Sequence, residues 1–270
     1  MRHLTWLLLV LMVVIGCENR ATGPEAPEVI VDPELTEPLE DEPVLFDFEQ
    51  DAAYFSEPLT EGGTFTSIWR QLIRPFDNTW IIEQIGVGLF EVTRYAVIHG
   101  TLFISWEDGS VTEKELTCNG TRHAIVSRPV RGRPGVLEEV SGALIETEGG
   151  TVTIERVEVS AAFGTMIIDD VLELRAFPEE LLHLDAGEEV TVRAYGPPGD
   201  AIVMLRTPHA LRYFAPNAMT PRDGYFEGTW SAPEIPGLYR AAVDVLSHDT
   251  VYLPDAPYEG TAWIMPYIVE

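Results

Sequence analysis

The sequence predicts a mainly β protein, and three observations carry that prediction. Short runs rich in Val, Ile, Tyr, Phe and Thr recur along the 270 residues, separated by clusters of Gly, Pro, Asn and Asp. Within Gly237–Leu246, Tyr239, Ala241, Val243 and Val245 alternate with Arg240, Ala242 and Asp244, the period-two pattern of a strand. No long stretch has the 3.6-residue period of an amphipathic helix; residues 47–55 suit a short one.

Composition narrows the function. Hydrophobic residues make up 46% of the chain, enough for real cores. Acidic residues number 44 against 17 basic ones, a net charge of −27, and there is no Lys/Arg-rich tract. Such a chain repels polyphosphate, which argues against nucleic-acid binding.

The elements follow in order. Arg2 precedes an apolar run, residues 4–15, in which only Thr5 is polar. A helical span needs about twenty apolar residues, so the run reads as a signal-peptide core. It ends in Val14-Ile15-Gly16-Cys17, which resembles the lipobox of bacterial lipoproteins. Val14 stands where Leu is usual, and Ile15 is larger than the common Ala or Ser. The resemblance implies a signal peptide over 1–16, lipidation of Cys17 and anchoring to membrane lipid. Glu18 does not match the Asp of the inner-membrane retention signal, which points to the outer membrane.

Residues 17–58 read as an acidic, Pro-rich tether. Positions 18–58 hold thirteen Asp/Glu and a single basic residue, Arg20. Charge repulsion and proline favour an extended path without a core, roughly 90 Å from Glu18 to Leu45 if fully stretched.

Residues 59–177 read as an antiparallel β-rich domain. Strands are expected at 65–73, 80–83, 89–98, 101–106, 111–118, 123–129, 136–145 and 151–160. Asp108-Gly109 is the strongest hairpin turn among them. Turns are also expected at Arg74-Pro75-Phe76-Asp77-Asn78, His99-Gly100 and Asn119-Gly120-Thr121. Val152 and Ile154 have one parity, Val157 and Val159 the other, so a bulge is expected near Glu155-Arg156. The unit is either a second sandwich or a curved sheet over a short helix at 47–55, similar to cystatin-like α+β cones. The helix candidate favours the cone.

Residues 178–270 read as a smaller β-sandwich, with strands at 181–184, 189–194, 202–205, 225–230, 237–246 and 261–269. Pro236-Gly237-Leu238-Tyr239-Arg240-Ala241 resembles the start of the sixth strand in bacterial immunoglobulin-like domains. The preceding Gly224-Tyr225-Phe226-Glu227-Gly228-Thr229-Trp230 resembles the strand before it. That resemblance implies a "tyrosine corner" at Tyr239: a buried ring with its hydroxyl bonded to nearby backbone.

Candidate chemistry is sparse. Ser247-His248-Asp249 is contiguous, and side chains adjacent in sequence point apart, so it reads as a polar loop. Cys118 and His123 would face each other only across a hairpin turn, and no third group orients them. With Cys17 lipidated, Cys118 has no intramolecular disulfide partner and reads as a small buried residue. No H-x-x-x-H or C-x-x-C zinc spacing and no D-x-D-x-D-G calcium loop occurs. Asp169, Asp170, Asp200 and Asp223 are calcium candidates only by being acidic. No cofactor is implied. Arg122, Arg128, Arg131 and Arg133 form a basic cluster, read either as an anion patch or as internal charge balance. Tyr195, Tyr252 and Tyr258, near Pro-rich loops, are a candidate ligand surface, unless the long loop after residue 246 folds back and buries its tyrosines.

These readings lead to an exported, lipid-anchored protein of the bacterial cell envelope with a non-catalytic binding, adhesion or envelope-organising role. Its partner would be an envelope protein or polysaccharide. The alternative is an envelope enzyme, or an enzyme accessory, acting on a wall or surface polymer.

Overall fold

A computed structural model describes residues 35, 36, 39, 65–128, 135–209 and 213–270. The signal peptide expected over 1–16, Cys17, the helix expected at 47–55 and Arg131 and Arg133 lie outside these residues. From Phe65 onward the described chain is mainly β and antiparallel, with fifteen strands and one short helix.

Three long strands open the fold: β1 (Phe65–Gly86), β2 (Leu89–Trp106) and β3 (Val111–Ser127). The Asp108-Gly109 turn is where the sequence places it, with Gly109 at φ 83°. The turns expected at His99-Gly100 and Asn119-Gly120-Thr121 do not form; strands run straight through both. The reason is visible in parity. Ala96, Ile98, Leu102 and Ile104 are buried, and Gly100 keeps their alternation in phase. Likewise Leu116, Cys118, Arg122, Ala124 and Val126 keep one parity across Gly120. A true turn would have reset the phase. The turn expected at residues 74–78 is instead a bulge in β1, between Ile73↔His99 and Asp77↔Val97. A proline is tolerated at such a bulge.

The next strands are β4 (Val136–Glu146), β5 (Arg156–Ala161), β6 (Gly164–Ile168), β7 (Arg175–Ala176), β8 (Leu182–Leu184) and β9 (Glu189–Tyr195). The chain ends in β10 (Ile202–His209), β11 (Tyr213–Ala218), β12 (Thr220–Arg222), β13 (Tyr225–Ser231), β14 (Gly237–Leu246), α1 (His248–Tyr252) and β15 (Gly260–Val269). The parity switch at Glu155-Arg156 is present: Val152, Ile154, Val157 and Val159 are all buried, and regular pairing begins at Arg156.

Two sheets result. One is ordered β1-β2-β3-β4-β15-β14-β10-β11, with β7 on β4 and β8 on β15. The other is ordered β12-β13-β9-β5-β6. The divide expected at 177/178 is not a divide in the sheets. β4 pairs with β15 through Thr261↔Glu146 to Ile264↔Ala143, and β5 pairs with β9. The two sheets share a core, in which Val157, Val190, Val192, Phe226 and Trp230 of one meet Val203, Leu205, Val243, Val245 and Trp263 of the other.

The large sheet also curls on itself. Arg70 on β1 and Asp244 on β14 are five strands apart in the sheet order. Flat, that is roughly 24 Å at about 4.8 Å per strand. Yet Arg70 Nη1 lies 2.8 Å from Asp244 Oδ2. The sheet therefore wraps around an interior of its own, distinct from the core it shares with the smaller sheet. Ile68, Ile98, Leu102, Leu116, Ala242 and Ile264 line that interior. A bulge in β4 assists the wrap, since Val140 and Ala143 both face inward across the extra residue. There Ser141 Oγ accepts from His123 N at 2.8 Å and donates to Gly142 O at 2.6 Å. A Cβ on Gly142 would lie 2.4 Å from Ile264 O, so only glycine lets β15 approach.

Leu35 and Leu39, expected to be part of a solvated tether, are helical and buried with Trp80, Val92, Ala124, Val126 and Val140. Their i, i+4 spacing puts both on one face of a helical turn. Thr36 is buried as well, and the rest of 17–58 lies outside the described residues.

Candidate functional site: an ionic cluster inside the curled sheet

The interior of the large sheet holds charge. Arg70 reaches from β1, Arg206 from β10 and Asp244 from β14, and all three are buried. The Arg70 guanidinium grips Asp244 with a two-pronged fork, Nη1 to Oδ2 at 2.8 Å and Nη2 to Oδ1 at 3.0 Å. Arg206 Nη2 donates to the same Oδ2. The Tyr258 ring sits beside Arg70, with its centroid 5.5 Å from the guanidinium carbon. Cys118 and Thr261 complete the polar lining of a cavity otherwise walled by Leu72, Ile98, Leu116, Ile145 and Ile264.

The geometry follows from strand parity. Arg206 and Met204 of β10, and Ala242 and Asp244 of β14, point into the curl. Their odd-numbered neighbours Val203, Leu205, Val243 and Val245 point into the shared core. Gly260 keeps the mouth of β15 open, because a Cβ there would stand 2.8 Å from Val245 O and 3.0 Å from the Tyr258 hydroxyl.

Electrostatics fix the protonation states. Burial alone would raise the Asp244 carboxyl, but the charges of Arg206 and Arg70, with their hydrogen bonds, outweigh it and hold the group below the usual carboxylate range. Burial pushes the Cys118 thiol up, and the Arg70 charge offsets only part of the rise. Burial also pushes the Tyr258 hydroxyl up. Near neutral pH the cluster is therefore two guanidinium ions, one carboxylate, a protonated thiol and a protonated phenol. A protonated thiol is a poor nucleophile, and a carboxylate so stabilised is a poor proton carrier. The cavity, about 40 Å³, has room for a few water molecules. The array is suited to fixing strands and orienting water, not to acid–base turnover.

A second polar device closes the loop after β14. Ser247 Oγ caps α1, accepting from Thr250 N at 3.1 Å. Lys114 Nζ reaches across from β3 and donates to Leu253 O at 2.5 Å and Ala256 O at 2.7 Å. Burial lowers the Lys114 ammonium pKa, with Asp249 and Asp255 opposing the shift. Thus Ser247-His248-Asp249, read from sequence as a loop, is a helix start.

The structure separates the other residues that the sequence singles out. Cys118 and His123 lie on one strand with opposite parity, so no hairpin joins them. Cys118 faces the interior, while His123 Nδ1 is 2.9 Å from Thr93 Oγ1. Tyr195, Tyr252 and Tyr258 do not form one surface. Tyr258 is buried, because the loop folds back into the curl. Tyr252 packs on Phe65 and Trp106. Tyr195 lies on the small sheet, under Arg156 at 4.1 Å and beside Tyr225. The arginine patch is corrected as well. Arg122 points into the curl and is 1% exposed, since it shares parity with Cys118 and Ala124, while Arg128 lies over Phe90. Asp169, Asp170, Asp200 and Asp223 are exposed, and no three His, Cys, Asp or Glu side chains converge for a metal among the described residues.

Sequence reasoning missed Arg70, Arg206 and Asp244. Only Asp244 carried a signal: a carboxylate in an alternating strand that is apolar on both faces apart from Arg240 and the Tyr239 hydroxyl. No family model, curated protein or solved structure matches this chain.

Proposed function

We propose that the chain is an exported, lipid-anchored protein of the bacterial envelope whose folded part is a non-catalytic binding or organising module. The observation that carries this reading is the twelve-residue apolar run ending at Gly16-Cys17, the spacing of a lipoprotein signal. The interior chemistry supports a non-catalytic role, because its ionisable groups are committed to one another and hold the wrong protonation states for turnover. An immunoglobulin-like arrangement of the C-terminal strands belongs to the same reading. The Tyr239 hydroxyl donates to Ile235 O at 2.8 Å, in the manner of a tyrosine corner, although its ring, stacked on Tyr267, is half-buried rather than buried.

Mass spectrometry of the protein purified from membranes tests the anchor. The expected product begins at Cys17 and carries acyl chains, and Cys17→Ser moves the protein out of the membrane fraction. An unmodified wild-type chain cleaved elsewhere overturns the proposal.

A further inference from the structure

A tight turn that only reverses the chain favours Asn, Asp and Gly. Two turns of the described chain follow that rule: β2 passes to β3 through Glu107-Asp108-Gly109-Ser110, and β12 passes to β13 through Asp223-Gly224. The turn from β1 to β2 does not. Ile85-Gly86-Val87-Gly88-Leu89-Phe90 contains no polar side chain. Val87 is fully exposed, half of Ile85 is exposed, and Leu89 and Phe90 are partly so. The register explains Ile85. Gln84 pairs with Phe90 and Gly86 with Leu89, so Ile85 is the extra residue of a bulge, and a bulge re-aims a side chain. Two strands away and at the level of Leu89, Val136 is exposed as well. Exposed aliphatic residues gathered at one end of a sheet mark an interaction site.

The tip is held in shape. Gly88 has φ 68°, and its carbonyl accepts from Arg128 N at 2.6 Å. A Cβ on Gly88 would lie 2.9 Å from Arg128 O, so only glycine fits. These bonds draw the backbone of the tip into the sheet, and backbone that enters lipid must be paired within the protein.

Its height suits a membrane surface. The first carboxylates behind the tip are Glu83 and Glu91, which pair across the hairpin. Glu91 stands three residues from Gly88, about 10 Å at roughly 3.4 Å per residue. Apolar elements at a bilayer surface sink about 5–10 Å. Arg128 marks the foot of the tip, its guanidinium 5.0 Å from the Phe90 ring centre, where a cation meets lipid phosphates. The route of the chain points the same way. Leu35, eighteen residues after Cys17, is buried with Val92 and Val126, and Phe90 and Leu137 pack on the same cluster. The N-terminal part of the chain therefore joins the fold at the tip end of the large sheet, not at the Asp108-Gly109 end.

We propose that the β1–β2 tip inserts Ile85, Val87 and Leu89 into the outer part of a lipid bilayer and seats this end of the large sheet on the membrane. The proposal rests on the lipid-anchored reading for the bilayer being at hand.

Photo-crosslinking of the full chain tests it, with benzophenone-alanine in place of Val87, or of Asp108 as control, in vesicles of phosphatidylethanolamine and phosphatidylglycerol. Mass spectrometry should find phospholipid joined to residue 87 at several times the yield at residue 108. Ile85→Asp should lower the yield at 87 several-fold. Equal yields at 87 and 108, or a yield at 87 that Ile85→Asp leaves unchanged, overturns the proposal. A second copy of the chain joined to residue 87 in place of lipid also overturns it. The same spectra report on Cys17. An unacylated Cys17 with lipid on residue 87 removes the anchor and keeps the tip, whereas an acylated Cys17 with no lipid on residue 87 removes the tip alone.

Discussion

β14 is buried on both sides, and its two faces are stabilised in different ways. Toward the small sheet it presents Ala241, Val243 and Val245, which meet Val190, Val192 and Trp230. Toward the curl it presents Arg240, Ala242 and Asp244. The first face needs only shape and apolar area, so its tolerance is graded by volume. The second needs charge balance at fixed geometry, so its tolerance is all or nothing. One strand thus carries a forgiving face and an exacting one, and substitutions at neighbouring positions should behave differently.

The largest effect should come from the exacting face. Asp244→Ala leaves two buried guanidinium ions facing each other and should cost about 3–5 kcal/mol in denaturant unfolding. The same carboxylate sets a pH dependence. Its folded-state pKa lies below the ordinary value of 3.8. Its contribution is therefore complete above that value and is lost as the pH falls through the depressed folded-state pKa. Acid titration of unfolding should show a stability loss at low pH that Asp244→Ala lacks.

On the forgiving face, Val243→Ala removes two methyl equivalents from the shared core and should cost about 2 kcal/mol. If it cost as much as Asp244→Ala, the contrast between the faces would vanish. Tyr239→Phe deletes one hydrogen bond at the edge of that core and should lower stability by about 0.5–1.5 kcal/mol, read as a shift in thermal midpoint. The smallest net change is expected when the exacting face is converted to the forgiving kind. Replacing Arg70 and Arg206 by Met together with Asp244→Leu should be near neutral or stabilising, because the desolvation of three ions disappears with their attraction. A large loss in the triple variant would show that the ionic set contributes stability and not only geometry.

The legibility of the two faces differed in the same way. Val243 and Val245 announce themselves by alternation, and the Asp108-Gly109 turn by its residue types. Arg70 and Arg206 announce nothing, because their meaning depends on a curl that joins β1 to β14 across five strands. Gly100 and Gly120 were misleading as turn markers, although the unbroken parity on either side of each was there to read. The divide at 177/178 failed for a similar reason. Local pattern sees Pro178 and the change in strand length, but not the pairing of Glu146 with Thr261. Leu35 and Leu39 were hidden by the charge around them.

That pairing has a consequence in time. β7 pairs with β4 only at Glu139 and Val140, so the Ala143–Glu146 end of β4 receives its second neighbour only when β15 emerges, 115 residues after Glu146, the interval from 146 to 261 in the register. At a synthesis rate of about 5–20 residues per second, that end of β4 waits roughly 6–23 s with its edge bare. A bare edge is a template for pairing with any other strand nearby. The nascent chain therefore has a window of vulnerability set by the order of its strands and not by its final stability, and a chaperone that holds it unfolded through that window would protect it better than one that hastens its collapse.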